Sequence, residues 1–213
     1  MSEMEISQFE LEELIKNLVK KVTSEGTNFD AYAELSSLLN REITLGDIIY
    51  GTGDMIESFI RFWNRKDDLD NIPIEERKPI KIYIDSQGGN LADTLTIVDA
   101  ISLSKTPVWT INIGCAYSGG FFSFIAGHKR FTYPSATFMF HEGSCGNSGD
   151  ASKFRNFATF YDKQLEYLKN ITLKYTNITE EEYNKHIKDD WWMFPDEAIK
   201  IGVADEIAKE YIN

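Results

Sequence analysis

Ile80-Lys81-Ile82-Tyr83-Ile84-Asp85 runs straight into Ser86-Gln87-Gly88-Gly89-Asn90, and the residues after it change period. The first six are rich in β-branched and aromatic side chains, the composition of a strand. The next five are a glycine-containing turn. Residues 91–104 then place Leu91, Leu95, Val98 and Ile101 along one side of a helix. The unit recurs at once, with a strand over 108–113, the turn Gly114-Cys115-Ala116-Tyr117-Ser118-Gly119-Gly120, and a helix over 118–126. Strand, helix, strand, helix in succession predicts βαβ units and a largely parallel sheet, an α/β fold.

Working outward, residues 130–133 and 137–140 read as short strands. A small-residue stretch, 142–150, leads to a long helix over 151–175. A further helix follows over 179–188, with Thr179 as N-cap and Glu182 completing a capping box. Residues 196–201 form a last helix. Upstream, 42–45 reads as a strand and 54–63 as an apolar-faced helix, while the charged run beginning at Arg65 and ending at Pro79 reads as a solvated loop. Residues 29–39 form a helix. Phe9, Leu14, Ile15, Leu18 and Val22 give an amphipathic helix over 4–22. The organisation expected is a helical extension over 1–39 and one α/β domain over 40–213.

Composition narrows the function. The 213 residues carry 34 acids against 22 bases, a net charge of −12. A nucleic-acid binder needs a basic footprint, and an anionic membrane surface repels such a chain, so neither partner is expected. No apolar run reaches the ~18 residues that span a bilayer. The acidic first eight residues do not read as a signal peptide, so a cytoplasmic protein is expected. Two cysteines, Cys115 and Cys145, are expected as free thiols in a reducing compartment, with a disulfide between them as the alternative. No Cys-x-x-Cys, His-x-x-x-His, Walker A or G-x-G-x-x-G pattern occurs, so neither a metal nor a nucleotide cofactor is expected.

Both glycine turns lie where a strand's carboxyl end enters a helix, the edge at which open α/β sheets bind ligands. Ser118 lies in the second turn. It reads either as an N-cap or as a nucleophile, and as a nucleophile it needs a base. Of three histidines, His128 is in a polar turn and His186 on a charged helix. His141, after an apolar strand, reads as a core residue or as that base, and is the best candidate by elimination. Asp189 and Asp190 stand before the apolar run Trp191-Trp192-Met193-Phe194. Either can orient an imidazole, or both can be solvated acids at a helix end.

Taken together, the motifs resemble the proteolytic subunit of the Clp protease, a serine peptidase with the crotonase-type fold. The resemblance runs through residues 82–89, 113–120 and Ala126-Gly127-His128-Lys129-Arg130-Phe131. It continues through Met139-Phe140-His141, Asp190-Trp191-Trp192-Met193-Phe194-Pro195-Asp196-Glu197-Ala198 and Gly202-Val203-Ala204-Asp205. It implies stacked βαβ units with a protruding handle, here residues 143–175. It implies Ser118 as nucleophile, His141 as general base, Asp190 as the orienting aspartate with Asp189 as fallback, and the Gly89 and Gly119 N–H groups as oxyanion hole. It also implies stacked heptameric rings around a chamber, polypeptide substrates, a hexameric AAA+ ATPase unfoldase as partner, and no cofactor in the subunit itself.

The chain departs from the family pattern at several points. Gln87 stands where the family has proline, which predicts a less rigid turn. Glu142 replaces a glutamine, a carboxylate that can compete for His141. The 65–79 loop is longer, and helix 4–22 stands where the family has an axial hairpin. The competing readings are a phage-type processing protease of the same fold, a non-catalytic ring subunit, and an acyl-CoA hydratase-like enzyme, which relies on glutamate acid–base groups rather than a serine–histidine pair.

Overall fold

The structure is a computed structural model that describes residues 29–144, 146 and 149–212. The helix expected over 4–22 lies outside the described residues, as does Cys145. Helix α1 (Phe29–Leu39) leads into β1 (Glu42–Leu45), and helix α2 (Thr52–Leu69) and a 3₁₀ turn (Ile74–Glu76) precede β2 (Ile80–Ser86). Then come α3 (Leu91–Leu103), β3 (Val108–Tyr117), α4 (Gly119–Ile125), β4 (Lys129–Thr132) and β5 (Thr137–Phe140). The long α5 (Ala151–Tyr175), α6 (Glu180–His186), β6 (Trp191–Met193), α7 (Pro195–Lys200) and β7 (Glu206–Ile207) complete the order. Among the described residues no helix is long and apolar enough to cross a membrane.

The parallel path of the sheet is β1-β2-β3-β4-β7. The central strand β3 pairs with β2 on one edge and serves two neighbours on the other. Its first half, Trp109 to Asn112, pairs with β4, and its last three residues, Cys115 to Tyr117, pair with β5. Asn112 joins the two halves. It is fully buried, its side-chain amide donates to the Thr137 carbonyl at 2.9 Å, and its own carbonyl accepts from the Tyr133 N–H. The strand expected over 108–113 is thus four residues longer, and the extension carries β5.

The core lies between sheet and helices. Ile80, Ile82, Ile84, Ile97, Ile101, Phe121, Phe124, Phe138 and Phe140 have no exposed surface. At about 25 cal/mol per Å² of apolar surface removed from water, each such side chain contributes on the order of 2 kcal/mol. The capping box on α6 forms as expected: Thr179 accepts from the Glu182 N–H, and Glu182 accepts from the Thr179 N–H. Helix α5 is buried only near its carboxyl end, at Leu168, Ile171 and Thr172. Its amino-terminal half is exposed, Phe154 and Phe160 included.

The charged run after residue 64 is a largely solvated loop only beyond Leu69, and there Arg77 is buried. Helix α2 continues to Leu69, and Lys66 and Asp67 are buried. Arg41, from the end of α1, grips the Asp67 carboxylate with both terminal nitrogens at 2.6 and 2.8 Å and lies over the Trp63 ring. The Thr106 hydroxyl gives Asp67 a third bond at 2.7 Å. Lys66 pairs with Asp70 one turn on, which satisfies the second buried charge. Removing one partner of a buried, multiply bonded pair leaves an uncompensated charge. Asp67→Ala is expected to lower unfolding stability by about 3–5 kcal/mol, read as a fall in the urea midpoint with an unchanged slope.

Candidate active site

Two turns meet backbone to backbone at the carboxyl ends of β2 and β3. Ser118 takes φ 50° and ψ −116°, a conformation that costs a residue with a Cβ on the order of 1–3 kcal/mol. It is held there because its N–H donates to the Met139 carbonyl at 2.9 Å and its carbonyl accepts from the Phe122 N–H. Opposite it, Gly88 has φ 93°, and a Cβ on it would stand 2.7 Å from both the Gly119 nitrogen and the Tyr117 carbonyl. Only a glycine allows this approach.

The same packing brings two N–H groups together. A Cβ on Gly119 would lie 3.4 Å from the Gly89 nitrogen and 2.5 Å from the Thr94 hydroxyl oxygen. Among the described residues neither the Gly89 nor the Gly119 N–H has an acceptor. Gly119 opens α4, where no intrahelical carbonyl is within reach. At Gly89 the bridge to Ile48 uses the Gly88 carbonyl and the Asn90 N–H, and passes over the Gly89 N–H. Two unsatisfied donors beside a serine hydroxyl suit a developing oxyanion.

His141 and Asp190 arrive on a ladder that the sequence did not announce. Strand β6 pairs antiparallel with β5, Phe140 opposite Trp191, so the next residue on β5 faces the one before β6. That places His141 beside Asp190. With the ring proton on Nδ1, His141 donates to Asp190 Oδ1 at 3.1 Å, and its Nε2 accepts from the Ser118 hydroxyl at 2.9 Å. Asp189 instead donates its N–H to the His186 carbonyl at the end of α6. The other histidines are engaged elsewhere. His128 Nδ1 accepts from the Val108 N–H at 2.8 Å, and His186, expected in solvent, stacks on Trp191 with ring centroids 4.1 Å apart. Among the described residues no group of three or more metal-ligating side chains gathers.

A cavity of about 510 Å³ opens in front of Ser118. Leu91, Phe122, Phe157 and Leu168 supply apolar wall, and Glu142 and Gln164 supply polar wall. Ser118, His141, Gly89 and Gly119 all line this cavity.

The Clp protease family model matches residues 72–211, well over half of the chain. The chain belongs to the Clp protease family. It is a serine peptidase, a hydrolase. It is similar to a protein named ATP-dependent Clp protease proteolytic subunit from Deinococcus radiodurans, 33% identical over 130 residues, 60% of this chain and 64% of that one. Proteins of the same name from two strains of Dehalococcoides mccartyi are each 28% identical over 200 residues, 92% of this chain and 96% of theirs. The alignment with the Deinococcus protein thus spans less than two thirds of that relative's length.

Within the Clp protease fold the departures have structural answers. The Gln87 N–H, which a proline would lack, donates to Asp47 Oδ1 at 2.8 Å, so the turn is tethered to the segment after β1 rather than loosened. Glu142 does not compete for the ring: the hydrogen-bond partners of His141 are Ser118 and Asp190. Cys115 is a buried free thiol between Asp85 and Gln87. Burial first, then the hydrogen bond to and charge of Asp85, push it up to about 11. The thiolate is therefore scarce at neutral pH. In a Cys145→Ser background, maleimide labelling of the folded chain is expected to stay slow until the pH approaches 11, against about 8.5 for the unfolded chain. The sign for stability follows. The neutral thiol favours the folded state, a contribution fully present below the unfolded value and lost as pH rises toward 11.

Proposed function

We propose that this chain hydrolyses peptide bonds of unfolded or small polypeptides, with Ser118 as nucleophile, His141 as general base and Asp190 as its orienting carboxylate. One observation carries the reading: a single imidazole bridges Ser118 Oγ and Asp190 Oδ1 at 2.9 and 3.1 Å. A serine hydroxyl attacks only when its proton leaves, and Nε2 is poised to take it. Asp190 holds the tautomer that leaves Nε2 free to accept and stabilises the imidazolium that forms.

Ser118 Oγ then bonds to the peptide carbonyl carbon as its proton passes to His141 Nε2. The carbonyl oxygen becomes an oxyanion facing the Gly89 and Gly119 N–H groups. Collapse breaks the C–N bond, and the leaving nitrogen takes the proton from His141. Water, giving its proton to Nε2, attacks the acyl-serine and releases the new carboxylate, and Ser118 regains its proton. A hydratase-like reaction has no use for this serine–imidazole pair. Family membership and the relatives' shared name, ATP-dependent Clp protease proteolytic subunit, support assembly into rings around a chamber, seven-fold by resemblance, and polypeptide delivery by an AAA+ ATPase. The exposed aromatic residues of α5 offer a contact surface consistent with such assembly.

Labelling with a fluorophosphonate probe tests the nucleophile. The unaltered chain is expected to label, and Ser118→Ala and His141→Ala are not. Peptide turnover is expected to fall by about 10⁴-fold or more in either variant, and by about 10⁴-fold in Asp190→Asn, whose amide favours the wrong tautomer. Labelling of Ser118→Ala equal to that of the unaltered chain overturns the assignment.

A further inference from the structure

Among the described residues that line the cavity in front of Ser118, Glu142 is the only acid, and no lysine or arginine is present. Its backbone is clamped on both sides. The Glu142 N–H donates to the Ile187 carbonyl at 3.1 Å, and its own carbonyl accepts from the Tyr161 hydroxyl at 3.3 Å. Among the described residues no cation pairs with its carboxylate. The negative field on this side of the site extends inward: the buried Tyr183 hydroxyl is pushed up by burial first, then by the charges of Glu142 and Glu166. An unpaired acid fixed at the mouth of an apolar cavity lacks a counter-ion.

The rest of the wall fits one kind of occupant. Phe122, Phe157, Leu91 and Leu168 form an apolar lining that a four-carbon stem can cover, and Gln164 offers a further acceptor. Lysine and arginine bury such a stem while keeping the charged head at a polar site. An acidic side chain in the same position meets a like charge, and an aliphatic one leaves the carboxylate unanswered. We infer that Glu142 makes this cavity a subsite for a cationic substrate side chain, so that the chain favours lysine or arginine at the residue whose carbonyl Ser118 attacks. The inference rests on the proposed peptidase reading, and it gives the acid next to the base a role in choosing substrate rather than in the chemistry.

The decisive comparison is between lysine and norleucine, which share a stem and differ in charge. Two measurements separate this inference from the catalytic reading. In the first, kcat/KM is measured on fluorogenic peptides that carry lysine, norleucine or glutamate at the cleaved residue, for the unaltered chain and for Glu142→Gln. The expected result is a lysine-to-norleucine ratio of about 3–10 that falls to about 1 or below in Glu142→Gln, with glutamate the poorest substrate of the unaltered chain. In the second, calorimetry measures binding of the same peptides to Ser118→Ala and to Ser118→Ala/Glu142→Gln, which requires no turnover. The expected result is a similar lysine preference in the first variant and none in the second. A lysine-to-norleucine ratio unchanged by Glu142→Gln in either measurement overturns the inference. A binding preference that depends on Glu142 in a chain that hydrolyses nothing overturns the catalytic reading alone and leaves this one standing.

Discussion

Strand β5 is four residues long, and the site depends on its being in register on both edges at once. On one side it pairs parallel with the end of β3, Met139 beside Tyr117, and the Met139 carbonyl takes the Ser118 N–H. On the other it pairs antiparallel with β6, Phe140 opposite Trp191. These two ladders decide which residues face each other across 23 and 49 positions of sequence. A slip of one residue on either edge turns every β5 side chain to the opposite face. The burial of Phe138 and Phe140 against Phe124, Phe121 and Tyr183 makes such a slip expensive, so the hydrophobic core guards the alignment of His141.

How much of this was legible follows the range of each interaction. Strands β2 and β5, helix α5 and the capping box of α6 rest on neighbours in sequence, and periodicity or a Thr-to-Glu spacing of three reveals such elements. The continuation of α2 through Lys66 and Asp67 does not show in the same way. A run of four charges reads as solvated unless the partner is known, and Asp67 finds its partner in Arg41, 26 residues earlier. Strand β6 is three residues long, and its pairing strand lies some fifty residues upstream. A clue was present: two acids set directly against Trp191-Trp192-Met193 mark a chain that dives inward. That clue alone left Asp189 and Asp190 level; the resemblance put Asp190 first, and the register of β6 sets Asp190 beside His141.

The acidic excess takes on a local meaning as well. A charge of −12 spread over the chain speaks of solubility. One carboxylate that has no counter-ion among the described residues, at the wall of the cavity before Ser118, speaks of selectivity on the proposed reading, because an entering cation can answer it. Residues around the His141 imidazole are thus of two kinds here. Asp190 acts on the ring through a hydrogen bond, and Glu142, next to that ring in sequence, leaves it alone.

The close approach of Gly88 to Gly119 has a bearing on how the site fails. The two turns interlock so tightly that neither can relax without displacing the other, since Gly88 packs on the Gly119 nitrogen and on Ser118 itself. They move as one unit: an excursion that displaces one turn displaces the other, together with the strained serine. Thermal or chemical loss of the two-turn arrangement around Ser118 is then expected as a single event rather than a gradual decline.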